Sequence, residues 1–211
     1  MIFLVFEGLD GSGKSSLMKQ LEEHLAGQKI PFIKTREPGG TPLGDQLRNL
    51  ILEKSKVPPS PRTELLMYEA SRAQHVDQII RPALQNKKWV LCDRFTASSV
   101  AFQSGGRNIS RDQVDWLNTF ATDSLKPHLQ ILLDLSVLES KSRRQTRVGE
   151  VGGGEDRIES EADDFHQRVR NGFLNQAEAS PGDWLVLNAA KTPPELFQDL
   201  LVELKARQWL A

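Results

Sequence analysis

Residues Gly8-Leu9-Asp10-Gly11-Ser12-Gly13-Lys14-Ser15 set a carboxylate, an ammonium and two hydroxyls among three glycines, directly after the apolar run Ile2 to Phe6. A strand, a turn of the form G-x-x-x-x-G-K-[ST] and a helix, in that order, make a cradle for phosphate groups. The glycines reach backbone angles closed to other residues, so successive N–H groups can face one anion. The helix that starts near Lys14 points the positive end of its dipole at the same place. In this arrangement Lys14 reaches the β- and γ-phosphates of a nucleoside triphosphate and the Ser15 hydroxyl holds Mg²⁺. The phosphate-contacting residues expected from the motif are Gly8, Asp10, Gly11, Ser12, Gly13, Lys14, Ser15 and Ser16.

Further along, Asp93-Arg94 follows the apolar run Trp89 to Cys92, so both side chains should emerge at a strand's carboxyl end, where ligands of open α/β sheets bind. There an aspartate can hold a Mg²⁺-bound water and an arginine can grip a phosphate through two bonds. Thr35-Arg36-Glu37-Pro38-Gly39-Gly40-Thr41 reads first as a turn, and Phe102-Gln103-Ser104-Gly105-Gly106-Arg107 as another glycine turn bearing an amide and an arginine. Arg72, on a helix otherwise marked by core residues, reads as a surface arginine that buries its stem. Cys92 reads as a small buried residue, since no activating neighbour is evident. His24, His75, His128 and His166 have no metal-ligand spacing and read as surface or helix-face residues.

The elements that position these groups follow from periodicity. Short apolar runs at Ile2 to Phe6, Pro31 to Lys34, Trp89 to Cys92, Gln130 to Leu135 and Trp184 to Leu187 alternate with helical stretches. Continuous rather than alternating apolar runs suit strands buried on both faces, which implies an α/β fold with a parallel sheet. One helix carries the stripe Leu17, Leu21 and Leu25, and another Leu43, Leu47, Leu50 and Ile51. Ser110-x-x-Gln113, Ser136-x-x-Glu139 and Thr192-x-x-Glu195 read as capping boxes. A long helix over 61–80 should bend or end at Pro82. Between Arg143 and Arg157 glycine and charge replace the apolar rhythm, which predicts a mobile loop that acts as a lid. We read residues 1–211 as one domain.

With 211 residues, 27 basic and 28 acidic side chains and a net charge of −1, no global positive field attracts nucleic acid or an anionic membrane. A single cysteine excludes an intrachain disulfide, and no apolar run approaches the ~20 residues of a bilayer span. A cytoplasmic protein that binds neither nucleic acid nor membrane is expected.

Taken together, Phe-Glu-Gly-Leu-Asp-Gly-Ser-Gly-Lys-Ser at 6 to 15, Thr-Arg-Glu-Pro-Gly-Gly-Thr at 35 to 41, Leu-Met-Tyr-Glu-Ala-Ser-Arg at 66 to 72, Cys-Asp-Arg-Phe at 92 to 95 and Gln-Ser-Gly-Gly-Arg at 103 to 107 resemble the thymidylate kinase family. The resemblance implies a P-loop NTPase-type three-layer fold, with a five-stranded parallel sheet flanked by helices and a lid at about 143–157. It implies transfer of the γ-phosphoryl of ATP to dTMP, with Mg²⁺ as cofactor held by Ser15 and Asp93, and a homodimer. By position, Asp10 would face the sugar 3′-hydroxyl, Glu37 and Pro38 would line the dTMP site, and Arg48 would lie near its phosphate. Tyr68 would stack on thymine, Arg72 would bond the base edge, and Ser99 and Gln103 would surround the base. Phe102 would crowd the 2′ position, and Arg94 would bridge the donor and acceptor phosphates. Lys14, Arg94, Arg147 and Arg157 are the expected catalytic residues, with Arg144 a further candidate. Gly11 stands where some members carry an arginine, which shifts that role to the lid, and Gly152 to Gly154 lengthens this segment.

Two other readings remain open on the sequence. One is a P-loop kinase for another nucleoside monophosphate or a deoxynucleoside. The other is a GTP-binding switch, whose usual Asn-Lys-x-Asp is approached only by Asn86-Lys87-Lys88-Trp89.

Overall fold

Five apolar runs form the strands β1 (Phe3–Glu7), β2 (Phe32–Arg36), β3 (Trp89–Asp93), β4 (Leu129–Asp134) and β5 (Trp184–Asn188). In this computed structural model, which describes residues 1–151 and 154–210, they pair in parallel in the order β2-β3-β1-β4-β5. Between and after them lie α1 (Lys14–Gly27), α2 (Pro42–Leu52), α3 (Pro61–His75), α4 (Arg81–Gln85), α5 (Thr96–Ser99), α6 (Arg111–Thr122), α7 (Val137–Val151), α8 (Asp163–Ala179) and α9 (Pro193–Ala206). Parallel strands need such crossover helices, and the helices bury both faces of the sheet.

Alternation along the central strand assigns each residue to one of two cores. Leu4 and Phe6 of β1 join Leu17, Met18, Leu21 and Leu25 of α1 and Leu196, Leu200 and Leu204 of α9. Phe3 and Val5 point the other way, into a cluster with Val76, Ile80 and Val90. Each such side chain contributes roughly 1.5–3 kcal/mol on full burial, so β1 is clamped from both sides. Its carboxyl end, with Phe6 in register with Asp93 of β3 and Glu7 with Leu132 of β4, is a fixed platform.

Several expectations need correction. Of the two outcomes expected at Pro82, a bend or an end, the helix predicted over 61–80 does not end there. It widens into a π-helical turn at Val76–Ile80, where the Arg81 N–H reaches back to the Val76 carbonyl, and continues as α4 with Pro82 in its first turn. Proline fits there because first-turn N–H groups are not needed, and the wider turn spares the carbonyl its ring would meet. The glycine turn expected at 102–107 is also π-helical, over Val100–Gly106. The loop expected at 143–157 is helical as far as Val151, because strong helix formers outweigh Gly149. Gly152 and Gly153 lie outside the described residues, and Gly154 to Arg157 is non-helical. Ser110 makes no side-chain cap to α6, whereas Ser136 and Thr192 do pair with Glu139 and Glu195. On α2, Ile51 is buried but Leu43 and Leu50 of the expected core stripe are exposed.

The second π turn owes its place to close packing on α8. A Cβ on Gly172 would sit 3.0 Å from the Ala101 Cα, and one on Gly105 3.2 Å from the Arg168 carbonyl oxygen. Gly172→Ala should therefore lower stability by about 1–3 kcal/mol, read from urea denaturation midpoints. A midpoint equal to wild type would show that the two helices separate freely.

Candidate functional site

Because the strands are parallel, Glu7, Arg36, Asp93 and Asp134 all end at one edge of the sheet, and the site is built on that edge. The turn after β1 runs through Gly8 at φ 131°, Gly11 at 83° and Gly13 at 96°. At Gly8 an added Cβ would lie 2.5 Å from the Leu133 carbonyl oxygen, and at Gly11 one would lie 3.0 Å from that of Ser140 on α7. A side chain at position 11 would be crowded by α7 and strained by the left-handed backbone, which favours glycine there. Ser140 Oγ donates to the Asp10 carbonyl at 2.7 Å and ties α7 to the loop.

Lys14 is buried and donates to the carbonyls of Gly8 and Leu9, each at 3.1 Å. Burial, helped by the Arg94 charge, lowers its pKa. Asp10, Gly11, Gly13, Lys14, Ser15 and Ser16 line a cavity of about 240 Å³ together with Asp93 and Arg143. Ser12 is buried with its hydroxyl unpartnered, and Gly8 lies behind the loop against β4.

A second cavity is lined by Glu37, Pro38, Arg48, Tyr68, Arg72, Arg94, Ser99, Phe102 and Gln103, and Asp10 lines both. The sequence also left unnoticed four lining residues, Leu52, Ser98, Asp156 and Ile158. At the junction Arg94 Nη2 donates to Asp10 Oδ1 at 2.8 Å, with Lys14 Nζ 3.8 Å from the same oxygen. Although burial raises the Asp10 pKa, the adjacent Arg94 and Lys14 charges hold the carboxyl well below the usual range. Arg94 adopts a left-handed backbone at φ 70°, and its guanidinium lies 5.1 Å from the Phe102 ring centroid. Such a conformation in a non-glycine residue costs about 1–3 kcal/mol and persists only where its surroundings enforce it.

Arg72 is not the surface residue its helix suggested. It is fully buried and donates through Nε to Glu37 at 2.8 Å, and through Nη1 to Glu69, Ser99 and Asn118 at 2.6, 2.8 and 2.8 Å. Nη2 bonds the Phe95 carbonyl at 3.0 Å. His75 likewise departs from the surface reading, being fully buried beside Glu37. Tyr68 sits half-buried at the wall, its hydroxyl pKa raised by burial and by Glu64.

The arginines expected around the lid separate in space. Arg143 lines the phosphate cavity and donates to the Ala189 carbonyl at 3.0 Å. Arg144 is buried and bonds Ser140 at 2.8 Å. Arg157 lies away from the cradle, bonded to the Ile51 carbonyl at 2.8 Å and to Glu64 at 2.6 Å. The Arg147 side chain lies outside the described residues.

Glu7 escaped the sequence reading, though a carboxylate closing an apolar strand run just before the first loop glycine was a visible signal. It accepts the Phe95 N–H at 2.9 Å and the Ser98 hydroxyl at 2.6 Å, and Ser98 accepts from Arg94 Nη1 at 3.3 Å. Glu7, Ser98, Arg94 and Asp10 thus form one chain of contacts.

A phosphate cradle after the central strand of a β2-β3-β1-β4-β5 parallel sheet, with a second cavity opening onto it, defines a P-loop phosphotransferase. The chain belongs to the thymidylate kinase family, whose model, described as Thymidylate kinase, matches residues 6–200. A thymidylate kinase of Bdellovibrio bacteriovorus is 62% identical over 210 residues, covering 100% of this chain and 98% of that protein. Thymidylate kinases of Geotalea daltonii and Cutibacterium acnes are 44% and 41% identical, each match covering 92% of this chain and 91% and 92% of those proteins.

Burial pushes the Glu7 carboxyl up from 4.5 to about 7, against the opposing pull of Arg94, Ser98 and the Phe95 N–H. The folded chain then holds this proton more tightly than the unfolded chain, so Glu7 makes stability fall as pH rises from about 4.5 to about 7, with no further change above. Glu7→Gln should remove that slope, on the order of 3 kcal/mol across the window. Parallel urea-denaturation profiles of variant and wild type from pH 4.5 to 8 would contradict it.

Proposed function

We propose that this chain transfers the γ-phosphoryl group of ATP to dTMP, giving ADP and dTDP, in deoxythymidine nucleotide synthesis, and that residues 1–211 act as one kinase domain. The observation that carries the reading is the meeting of a phosphate cradle and a second, aromatic- and arginine-lined cavity at Asp10 and Arg94. Family membership supplies the two substrates, and no helix among the described residues is long and apolar enough to cross a membrane. In this reading the loop amides and Lys14 hold the ATP phosphates, and Lys14 exchanges its carbonyl partners for phosphate oxygens.

On the acceptor side, Tyr68 stacks on thymine, while Arg72, Ser99 and Gln103 meet the base. Gln103 donates to Glu64 at 3.0 Å, which orients its amide. Phe102 crowds the 2′ position, Asp10 takes the 3′-hydroxyl, and Glu37 and Pro38 form the wall on which Arg48 is braced, donating to the Pro38 carbonyl at 3.1 Å. Arg48 directs the dTMP phosphate toward the cradle. Phosphoryl transfer asks mainly for alignment and for neutralisation of charge on the moving group. Arg94 supplies positive charge between the two phosphates. From the 143–157 segment Arg143 is the arginine set in the cradle. Arg157 would first have to leave Glu64.

Ser15 and Asp93 are the residues that would hold Mg²⁺. They line the same cavity, and Asp93 Oδ1 is buried without a hydrogen-bond partner, a fit for a hydrated cation. When bound, the cation neutralises phosphate charge. We also propose a homodimer. Leu43 and Leu50 on α2, Leu66 on α3, and the stacked Trp116 and Phe120 on α6 leave an apolar face exposed in one chain.

In a coupled ADP assay across dTMP, dUMP, dCMP, dGMP and thymidine, dTMP should be the preferred acceptor, and Lys14→Ala should abolish its turnover with an unchanged circular dichroism spectrum. Preference for dCMP, dGMP or thymidine would overturn the substrate, and near wild-type turnover in the variant would overturn the mechanism. Trp116→Glu should convert a dimer to a monomer by sedimentation velocity. A monomeric wild type would refute the assembly.

A further inference from the structure

We propose that His75 is a positioning residue for acceptor recognition: it holds Glu37 so that Glu37 fixes Arg72 with one N–H left to meet the pyrimidine base. The inference rests on the reading of the second cavity as the dTMP site. His75 is the last residue of α3 and its side chain is 0% exposed. Its Nδ1 lies 2.9 Å from Glu37 Oε1, and its Nε2 lies 2.6 Å from Thr35 Oγ1 at the end of β2. A carboxylate only accepts, so Nδ1 carries the proton toward Glu37 and the Thr35 hydroxyl can donate to Nε2. Both ring nitrogens are thereby committed, and the imidazole cannot turn without breaking two hydrogen bonds.

The loop after β2 is wrapped around this ring. A Cβ on Gly40 would lie 2.9 Å from it, and the Gly39 N–H is tied to Ser71 of α3 at 3.1 Å. With Oε1 taken by His75, Glu37 offers Oε2 to Arg72 Nε at 2.8 Å. The guanidinium is then fixed by Glu69, Ser99 and Asn118 on Nη1 and by the Phe95 carbonyl on Nη2. Nη2 has two hydrogens and, among the described residues, one partner, and Arg72 lines the acceptor cavity. A planar guanidinium held at four of its five hydrogens presents the fifth in one direction, as a specific contact to a carbonyl of the base requires. An apolar residue at position 75 would fill the space but leave the Glu37 oxygen and the Thr35 hydroxyl unpaired.

Two variants separate positioning from mere support. His75→Asn keeps an N–H donor near the Nδ1 position and can still bond Glu37. His75→Gln reaches the Nε2 position beside Thr35 and leaves Glu37 Oε1 unpaired. His75→Gln should raise KM for dTMP about tenfold, the equivalent of one lost hydrogen bond to a charged group, while His75→Asn stays within about threefold of wild type. In both, kcat and KM for ATP should remain at wild-type values.

Equal KM for dTMP in wild type and His75→Gln would overturn the proposal. So would matched losses in dTMP affinity, ATP affinity and thermal stability in both variants, or failure of either to fold by circular dichroism, since each assigns His75 to the core alone. Absence of dTMP-dependent turnover in the wild type would instead refute the reading of the site.

Discussion

The contact between Arg94 and Asp10 governs the arrangement of the site, because it lets two cations be buried side by side. Arg94 and Lys14 both approach Asp10, the first at 2.8 Å and the second at 3.8 Å from the same oxygen. At separations near 4 Å, two like charges repel by about 4 kcal/mol at the effective dielectric of a protein surface, and more when buried. The carboxylate between them offsets that repulsion and removes the penalty of an unpaired buried charge. Its depressed pKa expresses the same balance, since the two cations outweigh its desolvation.

Keeping Arg94 there demands a backbone that arginine does not favour, and the supporting parts come from separate elements. The Arg94 N–H bonds the Phe6 carbonyl at 2.9 Å, so the left-handed residue is stitched to β1 as soon as β3 ends. Glu7 then takes the next N–H, that of Phe95, and the Ser98 hydroxyl. Phe95 itself packs edge-on against Phe3 at 5.1 Å between centroids, which anchors the turn in the core beneath. The central strand thus positions the acid, the lysine and the arginine together, and a shift in β1 would disturb both cavities at once.

Local patterns were legible in the chain, and long-range polar partners were not. The strands and the phosphate cradle follow from runs and spacings of a few residues, and the strands appear within two residues of their expected limits. The residues around the acceptor cavity were legible only through resemblance, because each of their motifs alone is weak. Glu7 and Phe95 are 88 residues apart and His75 and Glu37 are 38 apart, so nothing near either acid or ring announced its partner. The π turns were hidden for another reason. Apolar spacing at 76–80 fits an α-helix, and the widening answers Pro82, whereas at 100–106 it accompanies the close approach of glycines to α8. The helical stretch of α7 was masked by its composition, since charge without an apolar stripe reads as loop.

Counter-charges sort the arginines of the cleft more sharply than sequence motifs do. Arg72 is opposed by Glu37 and Glu69, while Arg107 and Arg157 share Glu64, and Arg107 also meets Glu161. For these three, an anion must compete with a carboxylate already in hydrogen-bond contact. Arg48 and Arg143 are different, because their hydrogen bonds go to the neutral carbonyls of Pro38 and Ala189. A phosphate displaces a carbonyl from a guanidinium at far lower expense than it displaces a carboxylate, because charge-assisted bonds are about twice as strong. Arg48 beside the second cavity and Arg143 beside the cradle are therefore the guanidiniums that an anion can reach with least competition. Arg157, held by Glu64 and by the Ile51 carbonyl, sits between Asp156 and Ile158 in the chain, so its buried bonds fix the two lining residues on either side of it.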